Sequence, residues 1–371
     1  MKLSFQKSFY TLAFIIGLFA VMVLAKPVLI PLSLALLISF ILFPVVKKLE
    51  SWGVNNMLSA FLSLLMMFVL IGGAITLFSA QIMTLSDQLE DFTEKIMKTF
   101  SDAIVLVNNN TNFIDDLSRD ELVEDGKEWL RESSGSLIQR TFSGTASLLA
   151  GILTTAIYTF LFLVYREGLT KAIVAFADDE NKSKIFRMLK RIQSVGKKYL
   201  SGMLMLMLIL GFANSIALVI IGIDSPFLFG FLAAILSIVP FIGTTIGATI
   251  VVFYAFMTSD SLWVPFSVMI LFWAIQTVES NFLNPKIVGS SLNVNAFVAI
   301  LSLFIGASVW GIAGMVLFLP FAAILKVICE EFDQLKPISM LISNNISGDK
   351  SGEEFKISES IDKVKGWFKS K

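Results

Sequence analysis

The chain has 371 residues, of which 56% are hydrophobic and only 16% are charged, and its formal net charge is zero. A soluble globular protein is about 45–50% apolar and about 25% charged, so this composition excludes a soluble domain and predicts an all-α membrane protein. Zero net charge removes the basic surface that nucleic-acid binding requires, so we expect no nucleic-acid partner.

The residue types also argue against most enzymes. Histidine is absent and Cys329 is the only cysteine, which excludes histidine-dependent catalysis and an intramolecular disulfide. The sequence contains neither the phosphate-binding G-x-x-x-x-G-K-[ST] motif nor the dinucleotide-binding G-x-G-x-x-G motif. We therefore expect no enzyme activity, no cofactor and no metal.

Three long apolar runs predict the first three transmembrane helices within residues 1–83. They cover residues 9–25, 28–46 and 57–83. The first run could instead be a signal peptide, because Val23–Ala25 is an acceptable cleavage site. We favour a retained span, since the second run follows at once and offers a packing partner.

Residues 84–144 form a polar segment between the third and fourth spans. From Leu85 to Arg140 there are thirteen acidic residues against six basic ones. Apolar residues recur at helical spacing in its first part, which predicts an amphipathic helix. The segment is either a solvated spacer or a lid or oligomer contact outside the membrane.

Five further segments complete a prediction of eight spans. Residues 145–165 form the fourth span, and residues 199–328 divide into four more. Residues 166–198 form a basic helical loop with nine Lys/Arg residues against four acids, and residues 329–371 form a polar tail. Because cytoplasmic loops carry the excess of Lys and Arg, this loop and both termini are expected in the cytoplasm, and residues 84–144 outside.

Two of the last four segments are interrupted by proline and glycine. The segment 227–257 and the segment 296–325 are each longer than the roughly twenty residues needed to cross a bilayer. Lipid cannot satisfy the backbone groups that such breaks free, so broken helices often line a transport path. The alternative is a pair of merely kinked, glycine-packed helices. The candidate path residues in the breaks are Pro240, Gly243, Thr244, Thr245 and Gly247 in the first and Gly306, Gly311 and Gly314 in the second.

A short internal repeat supports the idea of paired interrupted helices. Ala234-Ile235-Leu236-Ser237 recurs as Ala299-Ile300-Leu301-Ser302. An Ile-Gly pair follows each copy. Four apolar residues can match by chance, so the repeat is a weak signal.

Between the breaks lies the sequence Q-T-V-E-S-N-F-L-N-P-K-I-V-G, residues 276–289. Gln276 and Glu279 are three residues apart and therefore share a helix face. An acid at membrane depth costs about 2.5–3.5 kcal/mol, so such an acid is usually functional and could carry a proton or pair with a cation. The alternative is an interfacial acid paired with Lys286. The other candidate residues of this segment are Asn281, Asn284, Pro285 and Gly289.

At these motifs the chain resembles the autoinducer-2 exporter family of bacterial permeases. The resemblance rests on V-P-F-I-G-T-T-I-G at 239–247, on residues 276–289, and on F-I-G-A-S-V-W-G-I-A-G-M-V-L-F-L-P-F-A-A-I-L-K at 304–326. One departure is visible at residues 291–295, where family members commonly have a proline. The resemblance implies a multi-pass transporter of the bacterial inner membrane and a homo-oligomer, with a pentamer as one form.

The resemblance leaves the transported substance open, since relatives are described as exporters of autoinducer-2 or as sodium- or lithium-proton antiporters. We expect a secondary transporter of a small molecule or ion, with a channel-like or structural membrane oligomer as the alternative. Eight crossings would put Asp224 and Asp260 at opposite membrane faces, which argues against an intramembrane enzyme with paired aspartates.

Overall fold

The computed structural model describes residues 5–87, 148–239, 242–259, 261–289 and 292–344. The predicted segment 84–144 lies outside these ranges from residue 88 onward, as do Pro240 and Asp260. Within these ranges the only strand-like pairing is one isolated bridge between Val294 and Ser343. The prediction of an all-α protein is confirmed.

Ten α-helices form the described part of the chain. They are α1 (Phe5–Leu24), α2 (Lys26–Ser51), α3 (Asn56–Asp87), α4 (Leu148–Ala175), α5 (Lys182–Ile221), α6 (Pro226–Leu236), α7 (Ile242–Thr258), α8 (Trp263–Val278), α9 (Ala296–Glu331) and α10 (Lys336–Ile342). Two π-helical turns, Glu279–Leu283 and Pro285–Gly289, extend α8. Six of these helices, α2 to α5, α8 with its π-turns, and α9, are long and apolar enough to cross a membrane.

The first interrupted segment folds back on itself. The ring centroids of Phe229 on α6 and Tyr254 on α7 are 4.3 Å apart, whereas a continuous helix would separate them by about 37 Å. α6 has 11 residues and is therefore about 16 Å long, roughly half the thickness of the hydrocarbon core. α6 and α7 thus form a helical hairpin, hairpin 1, with both ends on one side.

The second interrupted segment, α9, is also a hairpin. Gly311 has φ 60° and ψ −137°, a conformation that side-chain-bearing residues rarely adopt. Nζ of Lys326, beyond this turn, donates a hydrogen bond of 2.9 Å to the carbonyl oxygen of Asn293, before the helix. A straight helix would hold these two residues about 50 Å apart. Residues 296–310 and 312–331 are therefore the two arms of hairpin 2.

The hairpins change the predicted topology. Hairpin 1 begins and ends on one side, so the expectation that Asp224 and Asp260 occupy opposite faces loses its basis in eight crossings, and Asp260 itself lies outside the described residues. The argument against paired aspartates, which used this separation, loses its support as well. The count of eight crossings is not confirmed, because two of the eight predicted segments turn back. Proline and glycine signalled the breaks, but only distant contacts reveal the direction of the chain after each break.

The repeated tetrapeptide does not relate the two hairpins. The first copy ends at Ser237, directly after α6 and at the turn of hairpin 1. The second copy ends at Ser302, well before the turn at Gly311. Aligning the copies therefore does not align the turns, and the match carries no evidence of an internal repeat.

Candidate functional site

Helix α5 contacts both hairpins and the second π-turn. A Cβ atom on Gly211 would lie 2.7 Å from the ring of Phe231 in hairpin 1. A Cβ atom on Gly202 would lie 2.8 Å from the carbonyl oxygen of Ile287 in the second π-turn. The hydroxyl of Tyr199 donates a hydrogen bond of 3.2 Å to the carbonyl oxygen of Val316 in hairpin 2. Small residues on α5 permit these close approaches, as is usual for helix contacts in membranes.

Among the described residues of 199–328, the motif-rich half of the chain, Glu279 is the most buried acid. Its residue exposure is only 6%. Nε2 of Gln276 donates a hydrogen bond to Oε2 of Glu279, and the side chain of Asn284 provides a second hydrogen bond. The structure thus joins three of the predicted residues around one carboxyl group. Buried polar groups require such partners, and here the partners come from the same helix.

The π-turns explain how Asn284 reaches Glu279. Pro285 has no backbone N–H, so the regular i to i−4 ladder cannot continue through it. The helix widens instead, and π-turns of this kind are frequent at functional sites. Asn281 turns away from the carboxyl group, and its Nδ2 donates a 2.8 Å hydrogen bond to the carbonyl oxygen of Thr277. Gly289 ends the second π-turn with ordinary space around it.

The turn of hairpin 1 depends on two of the predicted glycines. A Cβ atom on Gly243 would overlap the backbone of Leu236, and one on Gly247 would lie 2.8 Å from Cα of Ala233. The two arms therefore approach backbone to backbone. Thr244 and Thr245 follow Gly243 in the first turn of α7.

The turn of hairpin 2 uses the other three glycines in two ways. Gly306 and Gly314 face each other so closely that a Cβ atom on either would overlap the backbone of the other. A side chain at Gly311 would meet no neighbour, but the positive φ at this position favours glycine. Beside this turn, Nε1 of Trp310 donates a 2.9 Å hydrogen bond to the carbonyl oxygen of Met22 on α1.

The two turns have different neighbours. Hairpin 1 shares an apolar cluster with α5 and α8, which includes Leu218 and Val268. The turn of hairpin 2 shares a cluster with α2, which includes Leu37 and Trp310. If both breaks lined one path, they would be expected to face each other or to face Glu279. The described contacts do not join the two turns, and α5 is the element that links hairpin 1, hairpin 2 and the π-turns.

Polar contacts hold the base of hairpin 2. Lys326 is 5% exposed, and besides Asn293 it contacts Oε1 of Glu330 at 3.4 Å. Arg191 of α5 forms ion pairs with Glu330 and, at 3.2 Å, with Glu331. The start and end of hairpin 2 therefore lie on the same side as the basic loop. Sequence reasoning treated Lys326 as the end of a span and missed this role.

The segment after hairpin 2 returns to the residue at which hairpin 2 begins. Nδ2 of Asn295 donates hydrogen bonds to the carbonyl oxygens of Leu341 at 2.6 Å and Ser343 at 3.1 Å. Oδ1 of Asn295 accepts from the backbone N–H of Val298 at 2.9 Å and so caps the first arm. Lys336, at 2.7 Å, holds the pKa of Asp333 below its usual value. An asparagine directly before an apolar helix was the only sequence signal for this arrangement.

This architecture defines a polytopic α-helical membrane protein with a buried acid and two helical hairpins. A family model described as "AI-2E family transporter" matches residues 12–334, and the chain belongs to this family. It is a membrane transporter of a bacterial family.

Three individual proteins are similar in sequence to this chain over most of their length. "Putative transport protein YrrI" of Bacillus subtilis is 27% identical over 318 residues, which is 84% of this chain and 88% of the relative. "Putative transport protein YueF" of the same organism is 25% identical over 315 residues, 80% of this chain and 82% of the relative. "Putative transport protein" of Borreliella burgdorferi is 22% identical over 349 residues, which is 92% of this chain and 91% of the relative.

Proposed function

We propose that the chain is a secondary transporter that moves a small polar solute or ion across the bacterial inner membrane. The observation that carries this proposal is Glu279, which is buried in an apolar helix long enough to cross a membrane and is held by Gln276 and Asn284 where that helix widens. A buried intramembrane acid marks an ion or proton pathway more often than a structural contact. Exchange of sodium for protons is one form that this transport can take.

The surroundings of the acid support the proposal. The second π-turn, which follows the turn that begins at Glu279, packs against α5, and α5 also contacts both hairpins. A change at the carboxyl group can therefore reach both hairpins through this turn and α5. With the basic loop in the cytoplasm, both termini lie inside, and the exposed apolar side chains of α1 and α3 face lipid or another copy of the chain.

The test is flux in proteoliposomes under imposed sodium and pH gradients, with an entrapped pH-sensitive dye. Glu279→Gln keeps the size and the hydrogen-bonding capacity of the side chain but cannot titrate. We expect this variant to insert normally and to lose gradient-driven proton movement by at least tenfold. Glu167→Gln, at an exposed acid on α4, is the matched control and retains the flux.

The outcomes separate the transporter from its alternative. Unchanged proton movement in Glu279→Gln between pH 5 and 8 would make the acid structural and end its proposed coupling role. Wild-type liposomes that respond to neither gradient, and pass no ion, would favour a structural oligomer. Flux that follows either gradient passively, without exchange, would favour a channel.

A further inference from the structure

Asn214 is a buried polar residue whose hydrogen bonding is incomplete. It lies in the apolar part of α5 with an exposure of 6%. Its Oδ1 atom is buried and accepts no hydrogen bond from the described part of the chain. The neighbouring Ser215 differs, because its hydroxyl donates a 2.7 Å hydrogen bond to the carbonyl oxygen of Gly211. A buried acceptor without a partner costs about 1–3 kcal/mol, so its presence in a membrane helix calls for a function.

The position of Asn214 on α5 directs it toward hairpin 1. Gly211 and Leu218 are three residues before it and four residues after it, and these spacings share one helix face. Gly211 contacts the ring of Phe231, and Leu218 belongs to the apolar cluster of hairpin 1 that includes Phe229. Asn214 therefore lies on the face of α5 that hairpin 1 covers.

The same stretch of α5 packs against the helix that carries the buried acid. Gly202 contacts Ile287 of the second π-turn, while Leu218 shares a cluster with Val268 of α8. The two helices are therefore antiparallel, and Glu279 lies between these two points of contact, as Asn214 does. The incomplete hydrogen bonding of Asn214 thus occurs in the zone framed by hairpin 1 and the π-turns.

We propose that Asn214 binds the transported solute by accepting a hydrogen bond on Oδ1 from a hydroxyl or ammonium group. This inference rests on the proposed transport function and names the chemistry of its solute. An amide oxygen is only an acceptor, so the ligand supplies the hydrogen. Glu279, the buried acid on the antiparallel helix α8 with its π-turns, disfavours an anionic solute when it is ionised, because like charges repel strongly where water is scarce.

The first test separates a binding role from a structural one. Asn214→Leu replaces the amide by an apolar group of similar size, which removes the unsatisfied acceptor. We expect the melting temperature of the detergent-solubilised variant to stay level or rise, while gradient-driven flux falls at least tenfold. Ile216→Leu, at an exposed position two residues away, is the control for α5. A lower melting temperature in Asn214→Leu, or normal flux, would overturn the proposal.

The second test needs no identified solute. In a Cys329→Ala background, Asn214→Cys is treated with methanethiosulfonates that carry an aminoethyl, a hydroxyethyl or a sulfonatoethyl group. We expect the ammonium or the hydroxyl reagent to label at least ten times faster than the sulfonate, and the faster of the two identifies the preferred donor. Ala217→Cys, equally buried at 7% exposure, should not react.

The remaining outcomes are also decisive. Absence of labelling at position 214, or equal labelling of positions 214 and 217, would show that no polar path reaches Asn214 and would overturn the proposal. Selective labelling in a protein without any gradient-driven flux would uphold the polar site while contradicting secondary transport. The failure of the inference and the failure of the proposed function therefore give different results.

Discussion

Hairpin 1 and hairpin 2 both fold back and both pack in apolar clusters, but a buried lysine and ion pairs also fix the base of hairpin 2. Phe229 and Tyr254 of hairpin 1 belong to an apolar cluster shared with α5 and α8. The base of hairpin 2 is fixed by the Lys326–Asn293 hydrogen bond and the ion pairs of Arg191. Apolar contacts tolerate sliding, whereas a buried, directional hydrogen bond does not. We therefore expect hairpin 2 to act as the fixed frame and hairpin 1 to move during transport.

A side chain that blocks the close approach of the two arms should have the largest effect on folding. In hairpin 2, Gly306→Val would force a side chain into the backbone of Gly314, and neither backbone can yield without opening the turn. We expect almost complete loss of folded protein, measured by fluorescence-detected size exclusion. Gly243→Val should do the same in hairpin 1.

The control for this prediction is Gly73→Ala in α3, where a Cβ atom meets nothing within 4 Å. Alanine should leave folding level or improve it by about 0.5–1 kcal/mol through its higher helix propensity. Gly311→Leu should also fail, though not by crowding, because Gly311 has no neighbour within 4 Å. Its positive φ is a backbone conformation that leucine rarely adopts. Normal yield of Gly306→Val would contradict the hairpin.

Breaking the base of hairpin 2 should have the next largest effect. Lys326→Met keeps the apolar stem but removes the ammonium group, which leaves the carbonyl of Asn293 without its donor. We expect a loss of about 3 kcal/mol in the free energy of unfolding, as for other buried charged partners. Lys171→Met, at an exposed position on α4, should change the free energy of unfolding by no more than about 0.5 kcal/mol. Equal melting temperatures for both variants would show that the base is not anchored.

The smallest effect should come from Asn295, and it separates two roles of one side chain. Asn295→Asp retains the oxygen that caps the first arm but loses the donor to Leu341 and Ser343. Asn295→Ala loses both. We therefore expect the free energy of unfolding to fall by about 1 kcal/mol in the aspartate variant and by about 2 kcal/mol in the alanine variant. Limited proteolysis near residue 343 should accelerate in both. Faster cleavage in the alanine variant alone would mean that the cap, not the donor, retains α10.

The sequence predicts the helical class and the breaks because proline and glycine interrupt apolar segments visibly. The i, i+3 spacing of Gln276 and Glu279 also anticipates their contact, which the structure shows. The hairpin turns were not predictable, because a kink and a turn use the same residue types. Asn214 was not predictable for another reason, because an uncharged amide in an apolar helix lacks the charge that makes Glu279 stand out in the sequence.

The central claim is that the motif-rich half consists of hairpins that fold back. The most direct test labels single cysteines at Ser183, Ser261 and Ala296, in a Cys329→Ala background, with a membrane-impermeant thiol reagent before and after lysis. The hairpins predict that Ala296→Cys labels from the same side as Ser183→Cys, and that Ser261→Cys labels from the opposite side. If Ser261→Cys shares the side of Ser183→Cys and Ala296→Cys lies opposite, the segment of hairpin 1 crosses the membrane instead of folding back, and the account is contradicted.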